Sequence, residues 1–211
     1  MTGWKRFGYG LFYFLALGVS IYAILFVSID WIGSQYLKDK FSLTPLAMYC
    51  HMVGGAIALT LGAVQLNPHL RAKHLLIHKV AGRVYVAAVL ISGSAGLYFA
   101  TNSMGGTVAH FGFGSMAILW LVTVCLALFY IRQGDVSAHR YWMILNYSLT
   151  CSAITLRIYL PTFPWLLNVD FMTAYTVISW VAWVPNLLIA QWYLLKTQRA
   201  RHKAIPEPIH P

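Results

Sequence analysis

The stretch TVAHFGFGSMAILWLVTVCLALFYI, residues 107–131, contains no lysine, arginine, aspartate or glutamate. A helix needs roughly 20 apolar residues to cross a hydrocarbon core about 30 Å thick, and this stretch is long enough. It shows no strict alternation of apolar and polar residues, which disfavours a strand of a membrane β-barrel. The stretch therefore predicts a membrane-spanning helix.

Five more apolar stretches of similar length occur along the chain, at residues 9–29, 46–66, 80–100, 141–160 and 171–195. We number the predicted helices one to six in chain order, with residues 107–131 as helix four. The connections between them are too short for a second domain. We therefore expect an all-α, six-transmembrane-helix bundle over residues 1–198, followed by a flexible cytoplasmic tail at 199–211 that contains three prolines.

The composition excludes a soluble protein of this size. Hydrophobic residues make up 59% of the chain and charged residues 9%, against about 25% charged residues in soluble domains. The first apolar stretch is too long for a signal peptide, so we expect helix one to be retained. The predicted location is the cell (inner) membrane, with several passes through the lipid bilayer.

The net charge of +10 is explained by orientation, and we expect no nucleic-acid partner. With the N-terminus inside, twelve of the fifteen basic residues fall on the inner side and only Lys38, Lys40 and Arg157 on the outer side. Cytoplasmic loops carry an excess of lysine and arginine. The chain is therefore predicted to have both ends inside.

Histidines are the ionisable residues that mark candidate sites, because such groups are costly inside a membrane. His51 and His110 lie near the starts of helices two and four, which both run inward. His78 and His139 lie just before helices three and five, which both run outward. Four histidines therefore form two predicted pairs, one near each membrane surface.

Two facing imidazoles on different helices are suitable axial ligands for a haem iron. A glycine follows three of these histidines four residues later, as Gly55, Gly82 and Gly114. Residues at this spacing share a helix face, so a flat porphyrin has room beside each imidazole. The alternative explanation for these glycines is close packing between helices. We predict two b-type haems per chain with His51, His110, His78 and His139 as iron ligands.

Three arginines are candidates for pairing with haem propionates. Arg83 and Arg140 follow the inner histidines, and the alternative for both is anchoring among lipid headgroups. Arg157 lies 18 residues beyond His139, or roughly 27 Å along a helix, and so returns to the outer level. Snorkelling to the outer surface is the alternative for Arg157.

The cysteines Cys50, Cys125 and Cys151 all fall inside apolar stretches, which argues against a disulfide framework. The chain has no C-x-x-C-H motif, so covalent c-type haem attachment is excluded. Any haem is therefore expected to be bound non-covalently.

The placement of the four histidines over the central helices resembles that in the cytochrome b561 family. That resemblance implies a six-helix, di-haem protein that transfers electrons across a membrane, with ferric or monodehydroascorbate reductase as the kind of activity. The local sequences are similar to bacterial predicted membrane proteins with domain of unknown function 2306, a likeness that covers roughly residues 46–160. It is carried by HMVGG from residue 51, HKVAGRVY from residue 78 and HRYWM from residue 139.

We therefore expect transmembrane electron transfer through two bis-histidine haems bound by residues of about 46–160. The electron donor and acceptor are not indicated by any motif, and a homodimer is one arrangement that the sequence allows. The rival hypothesis is a non-catalytic assembly factor or small-molecule carrier, in which the histidines form a polar or metal-binding network.

Overall fold

The structure, a computed structural model, describes residues 3–29, 38–39 and 42–203. The helices described from end to end are α1 Gly3–Ser28, α2 Pro45–Gln65, α3 Pro68–Lys73, α4 Leu75–Ala100, α5 Gly106–Arg132, α6 Val136–Thr150, α7 Ser152–Leu167, α8 Phe171–Val181 and α9 Val184–Lys203. The final helix extends into the predicted tail, and residues 204–211 lie outside the described part. The all-α prediction is confirmed for the described residues.

The outside of the bundle is apolar. Phe14, Leu76 and Trp165 are 72, 75 and 83% exposed, and a contiguous surface of such side chains is rare on soluble monomers. Among the residues that the structure describes, five helical segments are long and apolar enough to cross a membrane: Phe7–Ser28, Pro45–Gln65, Leu75–Ala100, Gly106–Arg132 and Phe171–Gln198. The chain is therefore built for a lipid environment.

The fifth predicted helix differs from the expectation of one continuous segment. It consists of α6 and α7, which meet at Cys151 and are each too short to count alone. The Thr150 hydroxyl donates to the Asn146 carbonyl, a bond that competes with the backbone ladder and often bends helices. The backbone at Cys151 stays right-handed (φ −64°, ψ −13°), so α6 and α7 follow one another as one bent segment.

The last predicted helix is interrupted as well, at Ala182 and Trp183 between α8 and α9. Pro185 has no backbone N–H and its ring clashes with the preceding turn, which breaks a helix at this point. The Ala182 carbonyl, which lies within the interruption, accepts hydrogen bonds from the Thr155 hydroxyl and the Asn186 side-chain amide. Side chains of two helices thus satisfy the backbone where the helix is interrupted.

The helices pack in a chain of neighbours, with α4 between α2 and α5, α1 against α2, α6 against α5, and α8 against α5. Close approach depends on glycines without room for a side chain. A Cβ at Gly54 would lie 2.9 Å from the Ser92 Cβ, and one at Gly93 would lie 2.8 Å from the Leu121 Cδ2. These contacts fix the register of α2 and α5 on α4.

The predicted orientation can be checked by labelling single cysteines in a background without the native ones. Ala72 and Gln133 are exposed at one end of the bundle and Thr101 at the other. With both chain ends inside, a cysteine at Thr101 should react with an impermeant thiol reagent added outside, while those at Ala72 and Gln133 should be shielded. Labelling of Ala72→Cys from outside would invert the orientation.

Candidate functional site

The four histidines lie at two opposite ends of the bundle. The His51 imidazole contacts the C-terminal half of α4, and His110 contacts Ser103 just beyond that helix. His78 lies near the start of α4, and the His139 imidazole reaches the Ala127 carbonyl in the last turns of α5. We call these two regions the His51 end and the His78 end.

The His51 imidazole is positioned by α4 on several sides. Its Nδ1 lies 3.1 Å from the Ser92 carbonyl oxygen, and the Ser92 hydroxyl donates to the His51 carbonyl at 2.8 Å. A Cβ at Gly96 would lie only 3.2 Å from the ring, and the Phe99 ring meets the imidazole edge-to-face at 5.8 Å. An Nδ1–H donor to Ser92 leaves Nε2 without a partner among the described residues.

A cavity of about 360 Å³ adjoins His51. Its wall is contributed by α1, α2 and α4 to α8, and it is mainly apolar. It extends from Ser103 and Tyr175 at the His51 end down to Trp120 and Thr150 near the middle of the bundle. The cavity therefore has few polar groups. Its distinguishing features are the two side chains that can carry a positive charge, His51 and Arg157.

Arg157 lies in the wall of the same cavity. Its Nε is buried and has no hydrogen-bond partner within the described part of the chain. Its Cζ lies 5.2 Å from the centre of the Tyr22 ring, a cation–π contact. Arg157 and His51 both line this cavity.

His110 lies at the His51 end but does not line the cavity. Its Nε2 lies 2.9 Å from the Ser103 carbonyl oxygen. Ligation by the His51–His110 pair therefore stays a prediction, and it requires the His110 side chain to bind iron through Nδ1 or to leave Ser103.

At the other end, His78 lies in the first turn of α4 and His139 in the first turn of α6. The His139 Nδ1 lies 2.8 Å from the Ala127 carbonyl oxygen. The Nδ1 of His78 is buried and has no hydrogen-bond partner among the described residues. Arg83 and Arg140 are exposed beside this end.

The three glycines that follow histidines differ from those that pack the helices. A Cβ at Gly55 would meet the Ser92 Oγ at 3.4 Å, one at Gly82 the Gln65 Nε2 at 3.7 Å, and one at Gly114 the Ala100 Cβ at 3.9 Å. These are ordinary contacts, whereas Gly54 and Gly93 have no such room. An alanine would therefore fit at Gly55, Gly82 and Gly114, whereas at Gly54 and Gly93 a neighbouring atom would have to shift.

A buried polar network between the two ends was not anticipated from the sequence. The Asn146 amide donates to the Trp120 carbonyl at 2.7 Å and the Thr123 hydroxyl at 2.8 Å, and Tyr85 donates to the Asn146 Oδ1 at 2.6 Å. Trp120 Nε1 donates to Thr150 at 2.9 Å. Asn146, the single asparagine within the predicted span 141–160, was the feature of the sequence that could have indicated this network.

Within the described residues, no group of three or more histidine, cysteine, aspartate or glutamate side chains is arranged to hold a metal ion. A haem iron takes only two axial ligands from the protein, so a search for groups of three or more ligands does not test haem binding.

Comparison with known proteins gives one result. The sequence profile of the family described as "Predicted membrane protein (DUF2306)" matches residues 48–194. No curated protein and no solved structure matches the chain. The matched segment runs from the start of α2 into α9 and includes the four histidines and Arg157. Because the match covers more than half of the chain, this chain belongs to the DUF2306 family of predicted membrane proteins.

Proposed function

We propose that this protein transfers electrons across the cell (inner) membrane through two non-covalently bound b-type haems, as in the cytochrome b561-like arrangement. His51 and His110 are the iron ligands at one level, and His78 and His139 those at the other. The proposal includes a six-helix bundle with both chain ends inside, in which the bent α6–α7 segment is the fifth span.

The observation that carries the proposal is the state of the His51 imidazole. Metal-ligating histidines almost always donate their second ring N–H to a backbone carbonyl or carboxylate, which fixes the tautomer. The Ser92 carbonyl is in position to accept from Nδ1. With Nδ1 as the donor, Nε2 keeps its lone pair, and His51 lines the cavity of about 360 Å³; this supports a role of His51 as a ligand.

The cavity also suits the rest of such a cofactor. Its volume of about 360 Å³ falls within the range of about 300–1,000 Å³ typical of ligand pockets. Its wall is mainly apolar, and Gly55 contributes to it one turn beyond His51 on the same helix. Arg157 provides a buried cation for a carboxylate, with an Nε that has no other partner among the described residues.

The His78 end supports a second site with fewer observations. His139 repeats the His51 arrangement, because its Nδ1 faces a backbone carbonyl. The Ser92 carbonyl, which faces the His51 Nδ1, marks the His51 level on α4. At about 1.5 Å per residue, His78 and Ser92 are about 21 Å apart along this helix. The two levels thus lie in opposite halves of a hydrocarbon core about 30 Å thick.

Haem, when bound, supplies one-electron redox chemistry at its iron. The protein's own part is to fix the imidazoles, to exclude water with apolar side chains, and to set the local charge through Arg157. The buried network of Tyr85, Asn146 and Trp120 lies between the two levels and holds α4, α5 and α6 together there.

Haem content is the direct test. Protein purified from cells supplied with haem precursors should carry two non-covalent haems per chain, both low-spin with two imidazole ligands, as measured by pyridine haemochrome assay and electron paramagnetic resonance. One haem per chain would remove one histidine pair from the proposal. A colourless, haem-free protein that stays so after reconstitution would refute it.

The second candidate is a carrier of amphipathic organic anions. The observation in its favour is the same apolar cavity with a buried, partly unpartnered Arg157, which suits a molecule with an apolar body and a carboxylate head. A haem-free preparation that binds a fluorescent fatty acid, and loses that binding in Arg157→Gln, would favour this function.

A further inference from the structure

Three buried side-chain polar atoms have no hydrogen-bond partner within the described residues: the Gln65 Oε1, the His78 Nδ1 and the Arg157 Nε. Two of the three belong to residues already in contact, because the Gln65 Nε2 donates to the His78 carbonyl at 2.9 Å. Buried polar groups without partners are costly, and native structures contain few. Because the Gln65 Oε1 and the His78 Nδ1 belong to residues that contact one another, they point to an interaction between these two atoms.

The two atoms are chemically complementary. An amide oxygen only accepts hydrogen bonds, and an imidazole nitrogen donates or accepts according to its tautomer. His51 and His139 both have a carbonyl facing Nδ1, supplied by Ser92 and Ala127. His78 has no such carbonyl among the described residues, and Gln65 holds the oxygen that would serve.

We propose that Gln65 is the positioning residue of His78. Its Oε1 accepts a hydrogen bond from the His78 Nδ1–H through one bridging water, while its Nε2 keeps the bond to the His78 carbonyl, and so the His78 Nε2 is reserved for the iron. The iron part rests on the proposed function, whereas the hydrogen bond does not require haem.

The first experiment measures both haem midpoint potentials in Gln65→Glu and Gln65→Leu. A glutamate is a stronger acceptor, makes the imidazole a better electron donor and stabilises ferric iron, so the potential of the His78-end haem should fall. Leucine removes the acceptor, so that potential should rise. The potential of the His51-end haem should stay unchanged in both variants.

Gln133→Glu is the matched control, because Gln133 is exposed at the same end of the bundle. It adds the same charge without touching His78 and should give a smaller decrease in potential than Gln65→Glu. Equal decreases in the two glutamate variants, together with no change in Gln65→Leu, would overturn the role of Gln65.

The second experiment uses haem-free protein, so that it decides the hydrogen bond even if the haem proposal fails. In ¹⁵N-histidine-labelled protein in lipid, the His78 Nδ1 should carry a proton, and its resonance should move in Gln65→Leu but not in Gln133→Leu. A His78 resonance that is identical in wild type and Gln65→Leu would overturn the inference, whatever the haem content.

Discussion

His51→Ala is expected to abolish one of the two haem components and leave the other intact. Alanine removes an iron ligand, and the two levels are separated by about 21 Å along α4, too far for shared contacts. Mutations separated by more than about 7–10 Å usually act independently. Redox titration followed optically should therefore show a single remaining transition, at the potential of the His78-end haem.

The reciprocal variants complete this prediction. His78→Ala and His139→Ala should each remove the component that His51→Ala spares, and His110→Ala should behave like His51→Ala. His74→Ala is the control, because His74 is exposed and its side chain does not cap α4; both components should persist. Loss of the same component in His51→Ala and His78→Ala would contradict the pairing.

His110→Ala has particular weight because His110 does not line the cavity. If it removes the same component as His51→Ala, the His110 side chain ligates iron despite its contact with Ser103. If both components survive, His51 takes its second axial partner from another residue.

Arg157→Gln is expected to lower the midpoint potential of the His51-end haem and leave the other nearly unchanged. Reduction adds a negative charge, and a buried guanidinium stabilises it. If the guanidinium lies about 8 Å from the iron and the effective dielectric constant is about 20, its charge stabilises the reduced state by about 2 kcal/mol. This corresponds to about 90 mV in the midpoint potential of a one-electron couple. Potentiometric titration of both components measures the difference.

Arg157→Lys separates charge from geometry. Lysine keeps the charge but loses the planar fork that grips a carboxylate, so part of the effect should remain. Arg140→Gln removes an exposed cation from the opposite end and should leave the His51-end potential in place. If neither potential moves in Arg157→Gln, Arg157 has no propionate role and only its contact with Tyr22 remains.

The membrane location, the helical class and most helix positions followed from the length and polarity of the apolar stretches. These properties are local, because every backbone group inside lipid must be satisfied within its own helix. The interruptions at Cys151 and Ala182 were not anticipated. Pro185 was a visible signal for the second. At the first, the Thr150 hydroxyl bonds to the Asn146 carbonyl within its own helix, whereas its contacts with Trp120 and Tyr85 form only when the helices are packed.

The candidate residues divide in the same way. Counting residues from the helix ends predicted that His51 and Arg157 share one level, and the fold brings both to one cavity. Counting did not reveal that Ser92 faces the His51 Nδ1 or that Gln65 adjoins His78. It also did not distinguish Gly55, which has room beside it, from Gly54, which does not.

The sequence by itself determined that this chain lives in a membrane, which stretches are helical, and at which end of the bundle each histidine lies, because hydrophobic length and the rise per residue are properties of a single segment. Only the tertiary structure decided which groups meet: the carbonyls that face His51 and His139, the isolation of the Arg157 Nε among the described residues, and the cavity between seven helices. Those features depend on the rotation of each helix about its axis, which is set by side-chain packing between segments distant in the chain.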